Sequence, residues 1–518
     1  MKRELLAILL LSMVCGAAYA APFNIEEASI ATIQKAIKSE QITCKALVTK
    51  YLDRINAYDQ KGPALNTTIA INPAALDIAA RMDADFKRTG KLVGPLHCVP
   101  VAAKDNYNTI DMPTTGGNLL LKDVKPTVES TVTRKLREAG AIILMKTNMH
   151  EFALSGTTVS SLGGQTKNPY DLTRTPGGSS GGTGAAVASN FAAVGLGSDT
   201  VNSIRSPASA NSLVGFRSTK GLISRAGVMP TSTTQDVVGP ITRSVADAAV
   251  MLDLIAGYDP GDAATARSIG KIPKSFSTSL DPKGLFGVRI GVLKNFIGAE
   301  PLHEEVNVAL RNALSALEQA GATIVEIDDS FFSTDAFNRD YDVQKWEFKT
   351  QFDGYLKGLG DKAPVKNLNE LIVSGKYHKP SLEKFLVATD ALEAPAQENE
   401  YLSRLSMIDG LRDHLLGRMA QQKVDVVVYP EQKRLVVPIG ELNQADRTGI
   451  LAALTGFPAV TVPMGFSKPS STAPIGVPIG LDILGRPFTE ALLFKVAYGF
   501  EQATKVRKPP QSVPALRQ

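Results

Sequence analysis

A glycine- and serine-rich stretch, residues 177–205, constrains this chain more than any other segment. It opens with Gly177-Gly178-Ser179-Ser180-Gly181-Gly182, and glycines at this density free the backbone to take positive φ and to expose N–H groups. Small apolar residues follow and predict a short buried helix, whose N-terminus favours negative charge. A strand predicted over residues 192–196 then leads to Ser203. Two hydroxyls brought together by such a helix–strand return suggest acyl transfer through a serine nucleophile.

The composition favours an α/β enzyme over the other broad protein classes. Of the 518 residues, 44% are hydrophobic and 21% are charged, and 43 glycines and 30 prolines indicate many loops. These values exclude a fibrous or disordered chain. The net charge of +5 is small for this length. Because Lys and Arg form no dense run, we expect no nucleic-acid partner.

The first 20 residues predict a secretory signal peptide. Two basic residues form a charged start, an almost wholly apolar run follows over residues 5–14, and Ala18-Tyr19-Ala20 fits a cleavage site for small residues. The apolar run is too short to span a bilayer. We therefore expect one mature domain over residues 21–518, located in the periplasm or the medium, with no stable membrane insertion.

Cys44 and Cys98 are the two cysteines of that mature chain. In an oxidising compartment they would pair as a disulfide if they lay close together, and otherwise they would be two buried thiols. The sequence leaves both possibilities open. The five histidines include no pair spaced to hold one metal from a helix, no Cys-x-x-Cys occurs, and the glycine stretch does not match a P-loop. We therefore predict neither a metal nor another cofactor.

Two lysines stand where buried strands are predicted to end. Residues 99–103 form an apolar run before Lys104, and residues 141–144 form another before Lys146. Each lysine is either a solvated strand end or a desolvated amine whose lowered pKa allows it to act as a base. Hydrophobic patterning does not choose between these interpretations or between the two lysines.

The glycine stretch also matches the G-x-S-x-G pattern of α/β-hydrolases around Ser180. That pattern requires an apolar strand directly before it, whereas residues 168–176 are a polar loop with two prolines. This alternative is disfavoured, and it would require an essential histidine such as His303, His378 or His414.

Periodicity predicts further helices and strands, with a helix from a capping box at Ser244 to a stop at Gly257. The segment 330–420 is mostly helical. The other helices are predicted over 28–38, 43–58, 302–319 and 489–502, and the other strands over 288–293, 323–327, 425–429, 455–466 and 477–485.

Several motifs in order along the chain resemble those of the amidase signature family, over about residues 26–505. The matching pieces are Gly94-Pro95-Leu96-His97, 101–106, Lys146-Thr147-Asn148-Met149, Asn168-Pro169-Tyr170, 177–182, 197–205, Thr455-Gly456-Phe457-Pro458-Ala459 and Gly485-Arg486-Pro487. The resemblance implies a single α/β/α domain around a large mixed sheet, in which residues 330–440 form the variable, helical region that shapes the substrate pocket.

The resemblance also assigns roles that the patterns alone leave open. It implies a Ser–Ser–Lys triad in which Ser203 is the nucleophile, Ser179 is the bridging serine, typically at a cis peptide, and Lys104 is the neutral base. Lys146 becomes the lesser candidate. The oxyanion would be held by backbone N–H groups near Thr200 to Ser203.

Other residues around the triad receive supporting roles by the same resemblance. Thr200, Val201, Asn202, Ser180 and Met149 are the expected oxyanion and substrate-binding residues. Asp199 and Arg205 flank Ser203 with opposite charges and would clamp the loop as an ion pair.

Two departures from the family pattern bear on the substrate. Val201-Asn202 stands where the family usually has Gly-Gly, and β-branched Val tolerates positive φ poorly. Either the loop has ordinary backbone angles or it is reshaped, and the two side chains would then narrow the acyl pocket. Glu431 and Arg434 lie where relatives are less charged, and they either face the pocket, which favours a polar substrate, or belong to a solvated loop.

The implied function is hydrolysis of a small carboxamide to an acid plus ammonia or an amine, through an acyl-enzyme on Ser203. The alternatives are an esterase with the same triad, the catalytic component of a tRNA-dependent amidotransferase, and a non-catalytic binding protein. The predicted signal peptide argues against the amidotransferase, because tRNA charging is cytosolic. The oligomeric state, including a homodimer, is left open.

Overall fold

A computed structural model describes residues 23–516, so the predicted signal peptide lies outside the described residues. The helices are α1 Ile30–Lys38, α2 Cys44–Tyr58, α3 Ala75–Thr89, α4 Thr131–Glu138, α5 Gly181–Ala188, α6 Arg205–Ala210, α7 Val245–Ile255, α8 Glu304–Gln319, α9 Thr334–Ala336, α10 Gln344–Leu359, α11 Leu368–Ser374, α12 Lys379–Asp390, α13 Asn399–Gln421, α14 Ile450–Thr455 and α15 Glu490–Thr504. The strands are β1 Thr68–Ile71, β2 Pro100–Lys104, β3 Ile142–Thr147, β4 Val159–Ser160, β5 Gly164–Gln165, β6 Val194–Asp199, β7 Val214–Arg217, β8 Val237–Thr242, β9 Arg289–Leu293, β10 Thr323–Ile327, β11 Val426–Pro430, β12 Ala459–Phe466 and β13 Pro478–Leu484.

One mixed sheet of 11 strands organises the chain, in the order β1-β3-β2-β6-β8-β7-β12-β13-β11-β9-β10. β2 runs parallel to both β3 and β6, with Ala103 opposite Leu196. Parallel neighbours end at the same edge of a sheet, so Lys104 and Ser198 lie side by side at that edge. The predicted α/β fold around a large mixed sheet is confirmed.

Helices cover both faces of this sheet. Successive residues of a strand point to opposite faces, and in β7 a Cβ on Gly215 would lie 2.6 Å from Ala208 Cβ of α6. The next residue, Phe216, stacks on Phe494 of α15 with ring centroids 4.3 Å apart. α6 and α15 therefore lie on opposite faces, which gives the expected α/β/α layering.

Several predicted elements agree closely with the structure, and others are corrected by it. β10 has its predicted bounds, and the Ser244 side chain caps α7 by accepting a hydrogen bond from Asp247 N. The strand predicted over 455–466 begins four residues too early. α14 continues to Thr455, the chain turns at Gly456 (φ +70°), and β12 begins at Ala459. The short β4–β5 hairpin, which the sequence did not predict, lies between β3 and α5.

The helical segment predicted over 330–420 contains α9–α13, and several of its aromatic residues are buried. Phe348 and Phe352 stack with centroids 5.4 Å apart, and Phe152, from the loop after β3, packs edge-on against Phe352 at 5.0 Å. This contact fixes the helical segment against the loop that follows β3. Among the described helices, none has the length and apolar character needed to cross a membrane.

Cys44, at the start of α2, and Cys98, just before β2, form a buried disulfide with Cα atoms 5.4 Å apart. His97 Nε2 lies 3.5 Å from Cys44 Sγ, and His97 Nδ1 accepts a hydrogen bond from Val93 N. A neutral imidazole whose Nδ1 accepts carries its proton on Nε2, so the nitrogen that faces the sulfurs has no lone pair to give a metal. Of the two possibilities for the cysteines, the structure contains the disulfide.

Candidate active site

Lys104 ends β2 as a fully buried side chain. Its Nζ lies 2.7 Å from Ser179 Oγ, 2.8 Å from Ser198 Oγ and 3.2 Å from Ser198 O. Burial lowers the pKa of Lys104 to about 7, although Asp199 and Asp236 oppose this shift. A neutral amine has one lone pair and two N–H groups, so it would accept the Ser179 hydroxyl proton and donate to both oxygens of Ser198. The geometry therefore suits a base.

Ser179 is held by backbone that requires glycine on either side. The Gly178–Ser179 peptide is cis and Gly177 has φ +70°, while the Ser179 carbonyl accepts a hydrogen bond from His150 N at 3.0 Å. A Cβ on Gly182 would lie 2.1 Å from Asn148 O. The small-residue pattern thus lets the start of α5 pack directly against the segment that follows β3.

Ser203 lies in the short loop between β6 and α6, with 5% of its surface exposed. Its carbonyl accepts a hydrogen bond from Ser180 N at 3.3 Å. Within residues 23–516, no hydrogen bond joins the Ser203 hydroxyl to Ser179 Oγ or to any other atom. Catalytic hydrogen bonds are often loose without substrate and tighten when it binds, so the Ser203 hydroxyl is available for attack.

The backbone of this loop presents unpaired donors. Within the described chain, the N–H groups of Val201, Asn202 and Ser203 donate no hydrogen bond, whereas the next one, of Ile204, donates to Asp199 Oδ2 at 3.3 Å. Buried N–H groups are nearly always paired in folded proteins. Three adjacent unpaired donors beside a serine hydroxyl suit the stabilisation of an oxyanion.

Asp199 and Arg205, predicted to form an ion pair, do so at 3.1 Å, and both are fully buried. Arg205 also pairs with Asp482 at 2.6 Å and donates to the Val201 carbonyl at 2.7 Å. Arg217 reaches Asp199 at 2.7 Å. The two arginines lower the pKa of Asp199 against the opposing effect of burial. This network anchors both ends of the nucleophile loop.

The departures at 201 and 202 are accommodated by contacts within the protein. Neither residue has positive φ, so the backbone angles are ordinary. Val201 packs in the apolar cluster that contains Ile450 and Tyr429, and Asn202 Nδ2 donates to Glu431 Oε1 at 2.8 Å. These contacts account for both side chains, and they replace the expectation that the two narrow the acyl pocket.

A family model described as Amidase matches residues 46–494. The chain belongs to the amidase family. Similar proteins include the A subunit of glutamyl-tRNA(Gln) amidotransferase from Moorella thermoacetica, 35% identical over 487 residues, with 92% of this chain and 95% of that protein covered. The protein of the same name from Alkaliphilus metalliredigens is 34% identical over 502 residues, with 94% and 98% covered.

Two solved structures resemble this family member over almost its whole length. Peptide amidase from Stenotrophomonas maltophilia has 35% sequence identity and a TM-score of 0.85, covering 95% of this chain and 99% of its own. An amidase family protein from Bacillus anthracis has 27% identity and a TM-score of 0.79, covering 95% and 96%. Family membership and these neighbours make the chain an amide hydrolase with the amidase signature fold.

The remaining predicted site residues of this amide hydrolase lie around the triad candidates. Thr200 Oγ1 donates to Asp236 Oδ1 at 2.7 Å. Ser180 Oγ donates to Ser198 O at 3.3 Å. Met149 is fully buried, and its backbone N–H donates to Asn148 Oδ1 at 2.9 Å, so that N–H is not free for an oxyanion.

Two alternatives from the sequence do not match the geometry. The second lysine candidate, Lys146, forms a buried ion pair with Asp105 at 3.0 Å and donates to Thr114 Oγ1 at 2.9 Å. Its pKa is lowered by burial, while Asp105 acts in the opposite direction. A loop rather than a strand precedes Ser180, and the Ser180 hydroxyl contacts a backbone carbonyl rather than a histidine. The α/β-hydrolase interpretation is therefore wrong.

Sequence reasoning missed several polar residues of the site. Ser198 accepts hydrogen bonds from both Lys104 Nζ and Asn106 Nδ2, the latter at 3.0 Å. His150 is fully buried, and its Nε2 lies 3.2 Å from Ser381 Oγ of α12. Burial, with help from the positive charges around it, lowers the pKa of His150 to about 3. The available signal was position, because Ser198 is the next-to-last residue of β6, at the same sheet edge as Lys104.

A cavity of about 240 Å³ adjoins this network. Ser198 and Asn106 line it near the lysine, and Asp236, Arg225 and Gln351 line it further out. Asp236 also accepts the hydroxyl of Thr200 at 2.7 Å. The cavity therefore lies beside both the lysine and the loop that carries Ser203, and both polar and apolar residues line it.

Glu431 and Arg434, the second departure, differ in environment. Glu431 is fully buried, so the interpretation as a solvated loop is wrong for this residue. Burial raises the pKa of the Glu431 carboxyl well above its usual range, and the nearby Asp482 carboxylate raises it further. Arg434 is half-buried.

Proposed function

We propose that this chain hydrolyses a linear carboxamide to an acid plus ammonia or an amine, through an acyl-enzyme on Ser203. One arrangement carries the proposal. Lys104 is buried, has a pKa near 7 and contacts Ser179 Oγ at 2.7 Å, and the next residue, Ser180, donates its N–H to the Ser203 carbonyl at 3.3 Å.

In the proposed mechanism the neutral amine of Lys104 takes the proton of Ser179, which takes the proton of Ser203. The Ser203 oxygen attacks the amide carbonyl, and the negative charge develops next to the N–H groups of residues 201–203. As the tetrahedral intermediate collapses, the proton returns along the same path to the leaving nitrogen. Water then attacks the acyl-enzyme and gives a proton to Lys104 by way of Ser179. When the second tetrahedral intermediate collapses, that proton returns to the Ser203 oxygen and the acid is released.

The substrate class is supported by the similarity to a peptide amidase structure and by the cavity beside Lys104, which polar and apolar residues line. We therefore propose that a test panel place peptide C-terminal amides beside aliphatic and aryl amides. Release of ammonia or amine would be measured for each. Matched esters of the same acids would be included, and a kcat/KM higher for the esters than for the amides would favour the esterase alternative.

The experiment compares the parent protein with Ser203→Ala, Lys104→Ala and Ser206→Ala. Ser206 is a matched control, because its buried hydroxyl lies three residues from Ser203 and has no hydrogen-bond partner among the described residues. We expect the first two variants to lose at least about 100-fold in kcat, the usual effect of removing a nucleophile or a general base, and the third to keep it. Full activity in folded Ser203→Ala would refute the proposal.

An amidotransferase role is the second candidate, because curated relatives with 34–35% identity carry that name. Such a chain would act within a complex. Size-exclusion chromatography of the purified protein, with activity measured in the same fractions, separates the two candidates. Activity in a monomer or homodimer fraction supports the hydrolase, and activity only after other components are added supports the amidotransferase.

We further propose that the chain is exported after removal of residues 1–20. The support is the charged and apolar N-terminal pattern and the Cys44–Cys98 disulfide, a bond typical of oxidising compartments. Cell fractionation and N-terminal sequencing test this proposal. A mature N-terminus at Ala21 in the periplasm or the medium is expected, and a full-length cytoplasmic protein would contradict it.

A further inference from the structure

One arginine near the loop that carries Ser203 has no hydrogen-bond or ion-pair partner for its side chain among the described residues. Arg447 lies in a segment that pairs with the chain after β11, where Gln432 bridges Arg447 and Lys433 N donates to Asp446 O at 2.9 Å. Two residues further on, a Cβ on Gly449 would lie 2.5 Å from Asn202 Cβ. The segment therefore packs directly on the residue that precedes Ser203.

Two other arginines near this loop, Arg205 and Arg217, are fully buried and differ from Arg447 in having partners. The guanidinium of Arg205 pairs with Asp199 and Asp482, and that of Arg217 pairs with Asp199 and donates to Gln235 O. The guanidinium of Arg447 is half-buried and, within residues 23–516, makes no hydrogen bond and no ion pair within 4.0 Å. The five N–H groups of this guanidinium therefore have no acceptor among the described residues.

Two carboxyl groups act on Arg447 electrostatically, and within residues 23–516 neither forms an ion pair with it. Its electrostatic neighbours are Asp342 and Glu431. Burial raises the pKa of Asp342, whose oxygens accept hydrogen bonds from Gln344 at 2.9 and 2.6 Å. Burial also raises the pKa of Glu431, well above its usual range. The Oε2 atom of Glu431 is buried without a partner among the described residues.

Arg447 also acts electrostatically on His150, a residue that contacts Ser179. The positive charges of Arg447 and Lys104 both contribute to the low pKa of His150, and the backbone N–H of His150 holds Ser179 O at 3.0 Å. The guanidinium therefore lies within electrostatic reach of the triad candidates. This electrostatic effect and the packing of Gly449 on Asn202 place Arg447 on the same side of the protein as the loop that carries Ser203.

We propose that Arg447 is a carboxylate-binding subsite and that the substrate of this site is an amide which also carries a carboxylate. The inference rests on the proposed function. A planar guanidinium with free N–H groups binds a carboxylate through two parallel, charge-assisted hydrogen bonds. The Glu431 carboxyl has an oxygen without a partner among the described residues, and burial favours its protonated form, which would not repel the anion.

The test uses matched 4-nitroanilides that differ only in the end of the acyl chain. Succinyl, glutaryl and adipoyl anilides carry a carboxylate, and the butanoyl, pentanoyl and hexanoyl anilides have the same chain lengths without it. A second pair, the pentanoyl amides of 4-aminobenzoate and of aniline, moves the carboxylate to the leaving amine. The measured quantity is the ratio of kcat/KM for the anionic and neutral members of each pair.

We expect the parent protein to prefer the anionic member of at least one pair by about 10-fold or more. Arg447→Gln should lower that ratio by about 10- to 100-fold, the range for a lost hydrogen bond to a charged group, and Arg447→Lys should restore part of it. Arg434→Gln is the matched control, because Arg434 is a half-buried arginine on the neighbouring segment that pairs with the one carrying Arg447, and it should leave the ratio unchanged. No anionic preference, or an equal loss on both members in Arg447→Gln, would overturn the inference.

A binding measurement separates this inference from the proposed function. Titration calorimetry of Ser203→Ala with glutarate and adipate, at equal ionic strength, needs no turnover. If no amide is hydrolysed by the parent, the proposed function fails, while dicarboxylate binding that is lost in Ser203→Ala/Arg447→Gln would still support the subsite. Absent binding, or binding that is equal with and without Arg447, would contradict it.

Discussion

Removal of the Ser198 hydroxyl should make Lys104 easier to deprotonate. Ser198 Oγ accepts from Lys104 Nζ at 2.8 Å and from Asn106 Nδ2 at 3.0 Å. A hydrogen bond to a charged donor stabilises by about 1.5–3 kcal/mol, and one between neutral groups by about 0.5–1.5 kcal/mol. Ser198→Ala therefore destabilises the charged amine by about 1 kcal/mol more than the neutral one. Since one pKa unit corresponds to about 1.4 kcal/mol, the pKa should fall by about 0.7 units.

The assay is the pH dependence of kcat/KM for an amide substrate, measured between about pH 5 and about pH 9. Because only neutral Lys104 accepts a proton, activity in the parent should fall as the pH drops through the lysine pKa of about 7. In Ser198→Ala this acid limb should lie about 0.7 pH units lower, with the plateau changed by only a few fold. Ser206→Ala controls for loss of a buried hydroxyl. An acid limb that moves upward, or that stays in place, would refute the reasoning.

Three further predictions concern the frame around the site. Gly182→Ala should prevent correct folding or cause a large loss of thermal stability, because its Cβ would lie 2.1 Å from Asn148 O; a folded, active variant by circular dichroism and turnover would contradict the close packing. Replacing both Cys44 and Cys98 by Ala should lower the free energy of unfolding by about 4 kcal/mol for a loop of this length, as the two residues are 54 apart in sequence; an unchanged urea midpoint would exclude the cross-link. Glu431→Gln should become more stable than the parent as the pH rises above about 4.5. The raised pKa of Glu431 means that its carboxyl keeps a proton in the folded state that it loses in the unfolded state, so the stability that this carboxyl gives the parent is full at low pH and is lost as the pH rises. A variant that is more stable than the parent at low pH instead would mean that Glu431 is ionised in the folded protein.

The sheet could be predicted where strands are long and apolar, and it was missed where they are short. β9, β10 and β13 have runs of aliphatic residues and were predicted within about two residues. β7, Val214–Arg217, has only four residues, of which one is glycine and one is a buried arginine held by Asp199. Its strand conformation comes from pairing with β8 and β12, a tertiary effect that no local pattern carries.

The part of the site that depends on sheet order was predictable. Lys104 and Ser198 lie at the C-terminal ends of parallel strands, so the sheet brings them together once its order is known. The contacts of Gly449 and Glu431 with Asn202 join segments more than 200 residues apart. Such pairs depend on how α14 and β11 pack against the loop, and neither composition nor spacing reveals that packing.

The central claim is that a neutral Lys104 activates Ser203 through Ser179. Labelling with a serine-directed fluorophosphonate, followed by peptide mapping by mass spectrometry, tests it without knowledge of the natural amide. We expect a single adduct on Ser203, a labelling rate that rises with pH through the Lys104 pKa of about 7, and a rate at least about 100-fold lower in folded Lys104→Ala. An adduct on Ser180 instead, or labelling of Lys104→Ala as fast as that of the parent, would contradict the account.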